Sequence, residues 1–139
     1  MTREISGASD ILRMLLHFQN QIRLYHWSTK LYPRHVASGE LYEKADSFND
    51  KFVEIYQGKF NGGSLKGVVP FKYESIVLDL NNMDDLSIIE SLNEFKLFLA
   101  DDLYKWLSNM PHHSNTDLKN LVDELMGNVN QTLYLFTLS

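Results

Sequence analysis

Five side chains are candidates for chemistry: His26, His35, Asp46, Asp50 and Glu54. Imidazole and carboxylate together suit iron, zinc or manganese. Asp46, Asp50 and Glu54 follow one another at four-residue steps, which stacks them along one side of a helix. His26 stands within Tyr25-His26-Trp27, and His35 opens the next segment. Other chemistries have less support. The chain has no cysteine, which excludes disulfides, Cys-ligated zinc, iron–sulfur clusters and a thiol nucleophile. Ser, His and Asp all occur, but without the spacing of a nucleophile elbow. His112-His113 beside Pro111 reads as an exposed turn.

Four helices are expected to position these residues. The first runs over 9–30, capped by Ser9 or Asp10, with Ile11, Leu15, Phe18, Ile22 and Tyr25 on one stripe. Pro33 fits the first turn of the second helix, 34–58, whose stripe is Leu41, Ala45, Phe48, Phe52 and Ile55. Gly58 is its expected stop. The third helix covers 82–109, with Asp85 supporting its first turn. Its stripe is Ile88, Leu92, Phe95, Leu99, Leu103 and Trp106. The fourth covers 114–137, capped by Ser114, with Leu118, Leu121, Leu125, Val129, Thr132 and Phe136 inward. Residues 59–81 break the pattern with Gly62, Gly63, Gly67 and Pro70. A connection of that length lets the second and third helices run parallel. The expectation is an all-α, ferritin-like four-helix bundle with a long crossover between the second and third helices, one domain over 1–139.

The face occupied by the carboxylates decides what they can do. Counting roughly 100° per residue from His35, the apolar stripe of the second helix centres near 240°. Asp46, Asp50 and Glu54 fall at roughly 20°, 60° and 100°. They point away from the chain's own core. The Glu-x-x-His pairs that build a metal site inside a bundle do not occur in the chain. A metal held by these residues therefore lies between two chains. The plainer alternative is that acidic residues on an outer face are simply solvated, and that His26 is a partly buried bundle histidine. Trp27, opposite the stripe of its helix, points to a subunit interface.

Composition narrows the class. The chain has 139 residues and is 44% hydrophobic, enough for one packed core. Its net charge of −5 makes it a poor general phosphate binder. The apolar run Ile11 to Phe18 is interrupted by Arg13 and His17 and is far short of a membrane span. An intracellular protein without membrane attachment is expected, located in the cytoplasm.

The motifs resemble those of the Dps mini-ferritins of the ferritin-like superfamily. His26-Trp27-Ser28 is similar to the family's His-Trp-Asn at the end of the first helix, and His35 to its second His. Asp50-Lys51-Phe52-Val53-Glu54 is similar to its Asp-x-x-x-Glu element, at the family's own offset from His35. Gly62-Gly63 and the long connection, and the apolar end Thr132-Leu133-Tyr134-Leu135-Phe136, also have counterparts. Tyr-His-Trp-Ser-Thr with a later His-x-Ala resembles short Dps-like proteins encoded by some phages and large DNA viruses. The family places its ferroxidase site at a two-fold interface. The resemblance then implies iron bound by His26 and His35 of one chain and by Asp50 and Glu54 of its partner. Asp46 would be a further carboxylate behind or at the entrance of that set. It also implies a homo-oligomer, up to a dodecamer, and location in the cytoplasm or, for a viral protein, in host cytoplasm or virion.

There are departures from the family pattern. The stretch between the two histidines is about three residues shorter than in the family. Gly39 stands where the family has an Asp one turn after the second His. Glu40, next to it, would point roughly 100° away. The terminal segments lack the lysine-rich tail of DNA-compacting members, so DNA binding by that route has no support. Gly39 and the short turn favour a rival expectation, a structural assembly protein such as a virion component without chemistry. A weaker rival places nucleic acid on Lys59, Lys66 and Lys72 with Phe60, Phe71 and Tyr73, although lysines on a long loop more often only solubilise it.

Overall fold

The computed structural model describes residues 7–60 and 83–139. All regular structure among them is helical: α1 (Ala8–Ser28), α2 (Tyr32–Lys59), α3 (Ser87–Leu97), α4 (Tyr104–Ser108) and α5 (Thr116–Phe136). A π-helical turn, Phe98–Leu103, joins α3 to α4, so these three pieces form one rod. The expected crossover lies outside the described residues from position 61 onward. So does the lysine–aromatic set beyond Lys59 and Phe60.

Side-chain bonds fix how the rods run. Tyr25, at the end of α1, donates to Asp85 Oδ1 at 2.7 Å, just before α3. Arg34, at the start of α2, donates to the carbonyl of Phe136 at 3.2 Å, where α5 ends. At the other end, Lys59 of α2 pairs with Asp117 of α5 at 2.8 Å. Helix α2 therefore ends where α5 begins, whereas α3 begins at the opposite end. So α2 and α3 run parallel, α1 is antiparallel to both, and α2 is antiparallel to α5.

The expected stripes form the core. Tyr25, Leu41, Leu99, Leu103, Leu118 and Val129 are buried together with Phe18, which stacks on Phe95 at 4.6 Å. Full burial of each such side chain favours folding by about 1.5–3 kcal/mol. The third rod differs from expectation in phase. Its π turn adds a residue to the repeat. Leu107 is therefore fully buried, while Trp106 is turned partly outward onto Tyr56, 5.5 Å away.

Helix ends also differ in detail. Ser9 and Asp10 lie inside the first turn of α1 rather than before it, and Asp10 pairs with Arg13 at 2.6 Å. Helix α2 passes through Gly58 to Lys59. The expected start of the third rod at Asn82 lies outside the described residues; the rod becomes helical at Ser87, after non-helical residues 83–86. There Asp84 accepts the N–H groups of Leu86 and Ser87 at 3.1 and 2.7 Å, which holds its carboxyl below the usual range. Asp85, the expected support, is engaged by Tyr25 instead. Before α5, Asn115 rather than Ser114 is the boundary residue. It is left-handed at φ 52° and donates to the carbonyl of Leu107 at 2.8 Å. No helix among the described residues is long and apolar enough to cross a membrane.

Candidate functional site

The α1–α2 turn brings His26 and His35 together. Thr29 caps α1 by donating its backbone N–H to the carbonyl of Tyr25 at 2.9 Å, its hydroxyl accepts the N–H of Leu31 in the turn at 3.2 Å, and Pro33 sits in the first turn of α2. This tight reversal stacks the two imidazoles, with centroids 4.0 Å apart and planes 13° from parallel. Each ring bonds to the other residue's backbone. His26 Nδ1 lies 2.7 Å from the carbonyl of His35, and His35 Nδ1 lies 2.8 Å from the carbonyl of His26.

A carbonyl oxygen only accepts, so both Nδ1 atoms carry hydrogen. In the neutral rings, both Nε2 atoms then hold a lone pair. An Nδ1–H donated to a carbonyl is the usual support of a metal-ligating histidine. Buried Ser38 completes the frame by donating to the carbonyl of His35 at 3.1 Å. Its oxygen also lies 3.3 Å from His26 Nδ1.

Gly39 has a physical reason in this packing. A Cβ at that position would lie 2.8 Å from His26 Cε1 and 3.1 Å from its Nδ1. A side chain here displaces the ring, so the aspartate of the family pattern does not fit beside His26 as it is placed. Glycine inside a helix costs about 1 kcal/mol relative to alanine.

The carboxylates lie farther along α2. Asp50 and Glu54 are exposed. At 1.5 Å of rise per residue they lie about 22 and 28 Å from His35 along the helix axis. One chain therefore does not unite the histidines with them. Among the described residues, no group of three or more His, Asp or Glu side chains converges within the chain. Asp46 is tied inward, accepting from Gln19 Nε2 at 2.8 Å. Gln19 Oε1 in turn accepts from buried Asn49 at 2.7 Å. Neither Gln19 nor Asn49 was marked by the sequence pattern, because each reads as an ordinary polar residue at the edge of a stripe.

Two further arrangements surround the histidines. Arg23 lies over the rings of Trp27 and Tyr42, 5.0 and 4.7 Å from their centroids. Trp27 remains 57% exposed, in keeping with its expected outward position. On the other side, Arg34 binds the Tyr25 hydroxyl, the carbonyls of Asp85 and Phe136, and the Ser139 hydroxyl. It thereby ties α1, α2, α5 and the lead into α3 behind the histidine pair. Burial pushes the Tyr25 hydroxyl up, and the bond to Asp85 acts in the same direction, so it stays a proton donor.

Comparison with curated proteins and with solved structures gave no match. Residues 26–136 match a family of unknown function, DUF5856, in a span that begins at His26 and covers most of the chain. The protein belongs to that family.

Proposed function

We propose that the protein is a Dps-like mini-ferritin of ferritin-like topology, in which two chains share an Fe²⁺ site. Nε2 of His26 and of His35 in one chain, with Asp50 and Glu54 of a second, form the ligand set. The carboxylates offset the metal charge and favour Fe³⁺ over Fe²⁺. Two Fe²⁺ ions each give one electron to hydrogen peroxide, which takes up two protons and leaves as two waters. Glu54 would supply the carboxylate shared between two Fe²⁺ ions, and Asp46 a carboxylate behind or at the entrance of the set. The observation that carries the reading is the pair of Nδ1–carbonyl bonds, which orient both imidazoles as metal ligands are oriented. Iron storage or detoxification follows as the role, in a closed homo-oligomer.

A second reading has its own support in Gly39. The aspartate of the Dps pattern is replaced by a glycine against which His26 packs. On this reading the imidazoles clasp the turn, and the protein is an assembly component without chemistry, for example in a virion. Zinc or manganese binding without oxidation lies between the two.

Fe²⁺ titration of metal-free protein, with ferric absorbance followed after peroxide, tests them. Saturable oxidation at a fixed metal-to-chain ratio, lost in Glu54→Ala with folding intact, is the expected result. Oxidation no faster than the buffer blank overturns the ferroxidase reading. Saturable Zn²⁺ or Mn²⁺ binding without oxidation would leave a simple metal site.

A further inference from the structure

Between α2 and α5 a cleft of about 380 Å³ opens to solvent. Buried Phe48 and Leu125, with half-buried Leu121, make its apolar floor. Lys44, Ser47 and Lys51 stand along its α2 rim, and Glu124 and Asn128 along its α5 rim. Glu124 shares the cleft with both lysines, yet neither is ion-paired with it. Among the described residues, no side-chain hydrogen bond occupies Ser47 or Asn128 either. The cleft shares no residue with the proposed metal set.

We propose that this cleft binds a small organic monocarboxylate, with its apolar chain on the floor and its carboxylate at Ser47. The volume lies in the range of small-molecule sites, about 300–1,000 Å³. Length follows from the lysines, which are seven residues apart, about 10 Å along the helix. Ser47 lies between them, about 4.5 Å along the axis from Lys44 and about 6 Å from Lys51. Their four-carbon stems let both ammonium groups reach an anion held there. The Ser47 hydroxyl and the Asn128 amide supply neutral donors beside them. Two cations and one carboxylate leave the rim with a single positive charge, in a chain whose net charge is −5. That charge matches one carboxylate, whereas a phosphate ester brings about two negative charges toward Glu124. A lone carboxylate is too few ligands for a divalent cation. Phe48, Leu121 and Leu125 give a bare inorganic anion nothing to bury against.

The test is two-dimensional amide NMR of the full chain, titrated with hexanoate at neutral pH with excess chelator. Amides of Ser47, Lys51, Leu125 and Asn128 are expected to shift saturably, with a dissociation constant of about 1 mM or tighter. Lys44→Gln with Lys51→Gln weakens hexanoate about tenfold or more. Both lysines are exposed, and unchanged resonances away from the cleft verify that the variant folds. Acetate and 1-hexanol, which carry the head and the chain separately, each bind at least about tenfold more weakly. Shifts that do not saturate, or that spread evenly over the surface, overturn the proposal. Unchanged affinity in the lysine variant, or 1-hexanol binding as tightly as hexanoate, removes the carboxylate subsite and overturns it too. Acetate binding as tightly as hexanoate overturns the apolar floor. The chelator keeps metal out, so none of these outcomes depends on the iron reading.

Discussion

The two ends of the bundle are built differently. Where α2 ends and α5 begins, the chain closes on itself with an ion pair, a side-chain hydrogen bond and a ring contact. Lys59 pairs with Asp117, Asn115 holds the carbonyl of Leu107, and Phe60 lies against His113 at 4.7 Å. None of the exposed large apolar side chains among the described residues is found there. At the opposite end Arg34 makes four bonds, and the imidazoles brace each other's backbone. Yet that end leaves Trp27, Tyr32 and Leu86 in solvent. Among the described residues, one end is closed by contacts within the chain, and the other keeps large apolar side chains exposed around a bonded frame.

This contrast can be broken most directly at Arg34. Arg34→Ala removes partners from Tyr25 and from the carbonyls of Asp85 and Phe136, and is expected to cost about 2–3 kcal/mol in urea unfolding. A loss below about 0.5 kcal/mol would mean that the clasp does not hold this end together.

Gly39→Ala sharpens the comparison within the same end. Helix propensity alone predicts a gain of about 1 kcal/mol. The contact with His26 predicts a loss of about 1–2 kcal/mol from overpacking. A net loss, with changed imidazole resonances of His26 and His35 in NMR, is expected. A full gain would show that the ring moves aside freely.

The matching substitution at the finished end is Lys59→Ala. It breaks a half-exposed ion pair and is expected to cost no more than about 0.5–1 kcal/mol. A cost equal to that of Arg34→Ala would erase the contrast.

The smallest effect is on pH dependence. Asp84 has its carboxyl lowered first by the Ser87 backbone N–H, and Asp117 first by its bond from Lys59. A lowered folded-state pKa means that the unfolded chain binds more protons between the two values. Stability from both groups is therefore complete above the ordinary aspartate range and falls as pH drops through the folded values. Asp84→Asn should flatten the acid limb slightly without changing stability at neutral pH by more than the weakened turn. An unchanged acid limb would count against the carboxylate as the support of α3. Asp102 runs the other way. Burial and then Asp101 raise its carboxyl, so ionising it opposes folding above the unfolded value.

Much of the architecture was legible because it depends on local repetition. Leu15, Phe18 and Ile22, or Val129, Thr132 and Phe136, recur with the helical period, and burial requires such a stripe to find others. The π turn was not legible, because Phe98–Leu103 continues the apolar helical repeat and contains no residue type that marks an added position. Asp84 and Asp85 exchanged roles for a similar reason: only the arrival of Tyr25 from α1 decides which carboxylate is drawn away.

The site divides in the same way. Residue types and spacing put two imidazoles beside a turn and three carboxylates on the outer side of α2. They also show that one chain does not bring the two sets together, since a helix separates residues by a fixed rise. Only the tertiary structure decided that each ring donates Nδ1–H to the other's carbonyl and that Gly39 is the space His26 occupies. It also drew Asp46 to Gln19 and gathered the exposed apolar residues of three helices at one end. Periodicity along a chain fixes which side of each helix faces inward. Contacts between residues far apart in sequence depend on how the rods meet, and no local pattern encodes that.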